Sequence, residues 1–163
     1  MRYFNAAGAN AKAGLGEFHT PETHLIPLAI MAAINENYTL SLFGDDYPTA
    51  DGTCVRDYIQ VTDIADAHLD ALQYLDTGGA PTEINVGTGQ GYSVREVIDT
   101  VEKHTGKRVK VCRAPRRAGD PPVLVASGKK ASQLLGWTPR HSNLEEMVSS
   151  AISGLENRDL YRD

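Results

Sequence analysis

The chain is poor in several features that mark large protein classes. It has only two cysteines, Cys54 and Cys112, far apart and in no metal-type spacing. They are expected to be two buried, reduced thiols of a cytoplasmic protein, with a single disulfide as the alternative. Positive charge is also scarce. Sixteen Lys and Arg face 21 Asp and Glu, a formal charge of -5, which argues against general nucleic-acid or membrane-surface binding. Any anion site must then be a local cluster of arginines. The longest apolar run, Leu25 to Ile34, is far short of the ~20 residues that span a bilayer. No N-terminal segment has the charged and then apolar order of a signal peptide. No membrane partner and a cytoplasmic location are expected. Internal repeats, low-complexity tracts and a convincing domain boundary are missing too.

What is present is a mixed pattern. Arg2 to Asn5 reads as a short strand, followed by a loop punctuated by Gly8, Gly14 and Gly16. A helix is expected from about Thr23 to Asn37, with Thr23 as N-cap and Pro27 in the first turn, where its missing N–H is harmless. Leu40 to Phe43 reads as a strand, then comes a long turn from Gly44 to Gly52. Val55 to Val61 reads as extended, and Thr62 is expected to cap a helix running to about Leu75. Ile64, His68, Leu72 and Leu75 form its apparent core stripe. Further strands are expected at Glu83 to Val86, Val109 to Val111 and Val123 to Ala126. Ser93 with Glu96 and Ser142 with Glu145 read as capping boxes, and Gly106 as a helix-ending glycine. A short helix covers about Lys130 to Leu135. Leu144, Met147, Val148, Ala151, Ile152 and Leu155 trace another helical stripe. Strands alternating with helices at crossover-length spacing point to an α/β fold.

Few residues offer chemistry. Gly87-Thr88-Gly89-Gln90-Gly91 follows a strand and opens a helix, as a dinucleotide loop would. The third fingerprint glycine, however, is replaced by Tyr92, whose bulk would hold helix and strand apart. It reads as a glycine turn. Arg116 and Arg117 sit in a Pro/Gly-rich loop ending at Asp120, and Arg56 in an extended segment. Converging guanidinium forks could grip a diphosphate, with Asp120 accepting from ribose hydroxyls; the same pattern fits solvated surface charges. The N–H groups opening the helix near His24 and Leu25 form a second phosphate-attracting element. His19, His104 and His141 show no metal or triad spacing, and no metal ligand is assigned. None of the seven tyrosines has lysine four residues on, so the tyrosine base of a short-chain dehydrogenase is missing.

Taken together, several blocks resemble the UDP-glucose (UDP-galactose) 4-epimerase family of extended short-chain dehydrogenases. They are Arg2-Tyr3-Phe4-Asn5, Thr23-His24-Leu25-Ile26-Pro27, the long block Phe43 to Ile59, Asn85 to Gly89, Ala114 to Asp120, and Leu135-Gly136-Trp137-Thr138-Pro139. They occur in the family's order and cover nearly the whole chain. The Asp45-to-Ile59 part is the most specific; the Leu-Gly-Trp-x-Pro part is shared with many extended short-chain dehydrogenases.

The resemblance implies that residues 1–163 form one substrate-binding region, the C-terminal half of an epimerase. Strands near 2–5 and 83–87 would belong to its Rossmann sheet. The N-terminal NAD-binding half, with the Gly-rich loop and the Tyr-x-x-x-Lys group, would be absent. In the complete enzyme, NAD takes a hydride from C4 of a UDP-hexose while a tyrosine takes the O4 proton, and the hydride returns to the other face. The resemblance places Phe4 against the nicotinamide and lines the diphosphate and sugar with Asn5, His24 and Leu25. It gives the uracil to the main chain of Ser41, Leu42 and Phe43, the diphosphate to Arg56 and Arg117, and the ribose to Asp120. Leu124 would occupy a gate beside the sugar, where its small size leaves room for an N-acetyl group. His24 replaces the asparagine of some members. The isolated chain is expected to be inactive, with an open β edge and marginal stability, and the full-length form has room to be a homodimer. Two other functions stay open: a non-catalytic UDP-sugar-binding module that pairs with another chain, and an inert truncated product. A different nucleotide-sugar short-chain dehydrogenase is the alternative enzyme.

Overall fold

The computed structural model describes residues 1–156, so the last seven positions of the region expected over 1–163 lie outside the described residues. In chain order the elements are β1 (Arg2–Tyr3), β2 (Asn5–Ala7), a 3-10 turn (Ala11–Ala13), α1 (Leu25–Ile34), β3 (Leu40–Phe43), β4 (Val55–Arg56), β5 (Tyr58–Gln60) and α2 (Val61–Asp76). There follow β6 (Asn85–Val86), β7 (Tyr92–Ser93), α3 (Val94–Thr105), β8 (Val111–Ala114), β9 (Val123–Leu124), α4 (Lys129–Leu135) and α5 (Leu144–Glu156). The α/β class expected from the pattern is what forms.

The strands pair as small patches. β1 runs parallel to β6, β2 to β5, and β3 to β8. A three-stranded patch has β4 in the centre, antiparallel to β7 and parallel to β9. The first strand therefore splits at Phe4: its start pairs with Asn85–Val86 and its end with Tyr58–Gln60. Among the described residues β1 and β2 each have one hydrogen-bonded neighbour.

Two apolar clusters hold this together. In the larger, Ile26, Ala29 and Ile30 of α1 pack with Val97 and Val101 of α3 and Met147, Val148 and Ala151 of α5. The smaller joins Ile59, Ile64, Ala67, Val86, Ala131 and Trp137. A fully buried Val, Ile or Met side chain contributes roughly 1.5–3 kcal/mol, and the α1–α3–α5 contact buries six of them, Ile26, Ile30, Val97, Val101, Met147 and Val148. Of the stripe read on α5, Leu144, Met147, Val148 and Ala151 are buried, and Ile152 and Leu155 are half-buried against the same cluster.

Other details differ. α1 starts at Leu25 with His24 in the N-cap position and no side-chain cap bond, not at Thr23. α2 is capped by Gln60, not Thr62. Its buried face is Asp63, Ile64 and Ala67, while His68, Leu72 and Leu75 are exposed. Apolarity favours the leucines, but the packed face is rotated toward the small Ala67, which lets the helix approach β5 and α4. The Ser93–Glu96 capping box and the left-handed Gly106 form as expected. Ser142 does not cap α5: its hydroxyl donates to Asp63 at 2.5 Å and accepts from the Gln60 N–H. Asn143 takes the capping role by accepting from the Glu146 N–H. The strand expected at Val109–Val111 begins at Val111 and runs to Ala114.

Two buried carboxylates tie loops to the patches. Asp63 accepts from the N–H groups of Arg140 and His141 and from Ser142, and its carbonyl accepts from the Trp137 indole. Asp57 is 1% exposed and accepts from the N–H groups of Thr88, Gly89 and Ala126 and the Thr88 hydroxyl. The glycine turn that imitates a phosphate loop is thus an anion cradle for the protein's own carboxylate. A Cβ on Gly87 would sit 2.4 Å from the Ala126 Cβ and 2.9 Å from Asp57 Oδ2, so glycine is required there by close approach.

Candidate functional site

A cleft of about 350 Å³ opens between α1, β2, β3, β4 and the loop before β9. Each wall follows from a local feature. α1 presents its N-terminus because Pro27 and the extended His24 start the helix there, leaving the first N–H groups free of intrahelical partners. Along β3, Leu42 is buried in the core while Ser41 and Phe43 line the cleft. Among the described residues β3 is hydrogen-bonded to β8 alone, so the main-chain donors and acceptors of its other edge have no strand partner there.

Of the residues read as substrate-contacting, Asn5, His24, Leu25, Ser41, Phe43, Arg56, Arg117 and Asp120 all line this one cleft. The two arginines, 61 positions apart in the chain, share a cavity. Three of the expected residues stand off its walls. Leu42 points into the core. Phe4, 38% exposed, lies at the break between β1 and β2. Leu124 sits in register with Arg56 across the β4–β9 pair.

The charges are differently arranged from the simplest expectation. Arg56 is held by a close ion pair with Asp120 and a 2.7 Å bond to the Val55 carbonyl, and its side chain is 12% exposed. Asp120 is therefore engaged by Arg56. Arg117 stacks its guanidinium 4.0 Å from the centre of the Phe43 ring and makes no ion pair among the described residues. Arg116, its neighbour, turns away: it donates to Asp46 at 2.6 Å and lies over the Tyr47 ring. That pair raises the Arg116 pKa through the hydrogen bond and lowers that of Asp46 through the same bond. Of the consecutive arginines, one clamps the Gly44–Gly52 turn and the other faces the cleft.

Sequence reading missed Glu17, Cys54 and Tyr58 as lining residues. Cys54 and Tyr58 flank Arg56 in the most specific sequence block, which was the available signal. Burial pushes the Cys54 thiol up, and pushes the Tyr58 hydroxyl far up. Both cysteines are free, Cys54 buried and Cys112 exposed rather than buried as expected, because Cys112 lies on a strand whose side chains face solvent. One further constellation emerges: Glu17, His19, Glu22 and His24 place one ligand atom each within 4.8 Å of the others, although His19 shows no metal spacing in the sequence.

A short-chain dehydrogenase-type α/β fold with an arginine-lined cleft at a helix N-terminus defines the class: the chain belongs to the NAD dependent epimerase/dehydratase family, whose model matches residues 1–87. Within it, the similarity is to UDP-glucose 4-epimerases. The enzyme of that name from Rhizobium meliloti (strain 1021) is 51% identical over 151 residues, covering 93% of this chain and 46% of the relative. The crystal structure of UDP-glucose 4-epimerase from Brucella ovis in complex with NAD is 48% identical with a TM-score of 0.88, over 92% of this chain and 46% of that one. The UDP-glucose-4-epimerase from Stenotrophomonas maltophila with bound NAD and formylated UDP-arabinopyranose is 43% identical, TM-score 0.88, over 98% and 47%. The chain spans about half the length of the curated relatives it matches.

Proposed function

We propose that this chain supplies the UDP-hexose-binding part of an NAD-dependent UDP-glucose 4-epimerase, which interconverts UDP-glucose and UDP-galactose through a 4-keto sugar. The observation that carries the reading is the convergence of Arg56 and Arg117 on one cleft at the start of α1. Arg117 has its charge available, and Arg56 can share its fork between Asp120 and a phosphate oxygen. Each charge-assisted bond to a diphosphate contributes about 1.5–3 kcal/mol, and the α1 N–H groups add to the same potential. The free edge of β3 at Ser41–Phe43 suits the in-plane donors and acceptors of a uracil. Asn5 is oriented for the sugar side by donating its amide to the Asp57 carbonyl at 2.8 Å.

NAD fits this chain only as a group touched at its margin. Phe4 is the exposed aromatic beside the cleft strand, while the glycine loop that would resemble a phosphate cradle is filled by Asp57. When bound, NAD would supply a hydride acceptor and donor for C4; these residues would hold the nucleotide in the cleft. A strand pair at β1 and β6 continuing a Rossmann sheet, a homodimer in the full-length form, and a cytoplasmic setting in galactose metabolism belong to the same reading.

The 163 residues contain neither a Gly-rich cofactor loop nor a Tyr-x-x-x-Lys pair, so the isolated chain is expected to bind UDP without interconverting UDP-glucose and UDP-galactose. Calorimetric titration with UDP, with and without NAD, followed by a coupled epimerase assay, tests this. Saturable UDP binding that ignores NAD, with no turnover, is the expected result. Absence of UDP binding, in a protein shown folded by circular dichroism, would remove the basis of the proposal.

A further inference from the structure

The segment leading into α1 carries a pattern of which the uridine diphosphate reading uses only His24, Glu17-x-His19-x-x-Glu22-x-His24. The loop folds so that its four side chains meet. His19 Nδ1 lies 3.0 Å from Glu17 Oε1 and 3.9 Å from Glu22 Oε1. His24 Nδ1 lies 3.9 Å from Glu22 Oε1 and makes a very short contact with Glu17 Oε1. The two imidazoles stand edge to face, ring centroids 5.1 Å apart. Both carboxylates are substantially covered, with side chains 18% and 11% exposed, while the imidazoles are about half exposed. The Glu22 carboxylate is anchored by the backbone N–H groups of Thr23 and His24 at 2.7 and 2.8 Å.

We propose that Glu17, His19, Glu22 and His24 form a binding site for a divalent transition-metal ion of the zinc type, set into the rim of the cleft. Four ligands at bond lengths near 2.1 Å lie about 3.4 Å from one another around a tetrahedral ion. The spacings here bracket that value, so only small side-chain adjustments open a position between them. Two carboxylates and two neutral imidazoles carry a charge of -2, which one divalent ion neutralises. The nitrogen donors select against magnesium and calcium, which take oxygen ligands. The backbone bonds to Glu22 act as the outer support that fixes a ligating carboxylate. Ligation through Nδ1 leaves the His24 Nε2–H as a donor at the rim of the cleft. The site stands on the loop alone and does not require that the cleft bind a uridine nucleotide.

The test is a zinc titration of the untagged chain against a chromophoric chelator, with cobalt as a spectroscopic probe. Its variants are His19→Gln, Glu22→Gln and, as a control, His104→Gln. Neither His19 nor Glu22 lines the cleft, and His104 pairs with Glu145 instead. The expected result is one zinc per chain, with visible cobalt bands of a four-coordinate ion. Affinity should fall by about tenfold or more in His19→Gln and Glu22→Gln and stay unchanged in His104→Gln. Zinc should also raise the melting temperature of the unaltered chain and not that of His19→Gln, a readout that needs no comparison of affinities. No saturable zinc binding, or equal affinity in the chain and both loop variants, would overturn the proposal and leave the cluster as a network closed by protons. Magnesium competing as well as zinc would overturn it too.

Discussion

Arg116 and Arg117 are adjacent in the chain, and replacing each by alanine is expected to give opposite results. Arg117 lines the cleft, stacked on Phe43 and without an ion-pair partner among the described residues. Its removal takes away one or two charge-assisted bonds to a diphosphate, each about 1.5–3 kcal/mol. Because Arg117 is solvent-exposed before a ligand arrives, the low end applies. At 1.4 kcal/mol per factor of ten, Arg117→Ala should weaken UDP about tenfold, and at most about a hundredfold. Arg116 directs its guanidinium to Asp46 and Tyr47. Its replacement should leave UDP affinity within about twofold, as for an exposed ion pair remote from the ligand. The assay is calorimetric titration with UDP and with uridine at low and moderate salt. For Arg117→Ala the loss should appear with UDP and not with uridine, which has no phosphate, and should shrink as salt rises. Equal losses in the two variants, or a loss of uridine binding as large as that of UDP, would refute the assignment of the two side chains.

Two further outcomes follow from buried groups. Asp57→Ala strands the N–H groups of Thr88, Gly89 and Ala126 and should destabilise the chain by about 3–5 kcal/mol in urea denaturation. Asp57→Asn keeps one acceptor oxygen and should cost less than half as much; equal losses would mean that the carboxylate cradle is not what holds the loop. Burial raises the Cys54 thiol pKa, so iodoacetamide should label exposed Cys112 first and reach Cys54 only as the pH becomes more alkaline, since the thiolate is the nucleophile. UDP should slow labelling of Cys54, a cleft residue, without affecting Cys112; equal labelling rates at neutral pH would contradict the burial argument.

Local signals in the sequence were sufficient wherever structure depends on near neighbours. The Ser93–Glu96 box, the glycine that ends α3 and the stripe of α5 are formed by residues three or four positions apart, and periodicity reads them directly. The absence of a Tyr-x-x-x-Lys pair and the rejection of Gly87–Gly91 as a cofactor loop were equally legible, since both rest on fixed short spacings. Family likeness carried the cleft list further than composition could, because the arginine pattern by itself fitted surface charge as well as a diphosphate clamp.

Tertiary structure alone decided what depends on distant partners. Which of two consecutive arginines faces the cleft was set by Asp46 and Phe43, about seventy residues away in sequence. Ser142 satisfies the spacing of a cap but is taken by Asp63, a buried carboxylate that cannot be left without donors. The face of α2 was settled by the room beside β5 and α4, where Ala67 fits closely, and not by the apolarity of Leu72 and Leu75. The meeting of Glu17, His19, Glu22 and His24 required the loop to double back on itself. Spacing along the chain determines an element, but the partner that a side chain meets is determined by which elements pack around it.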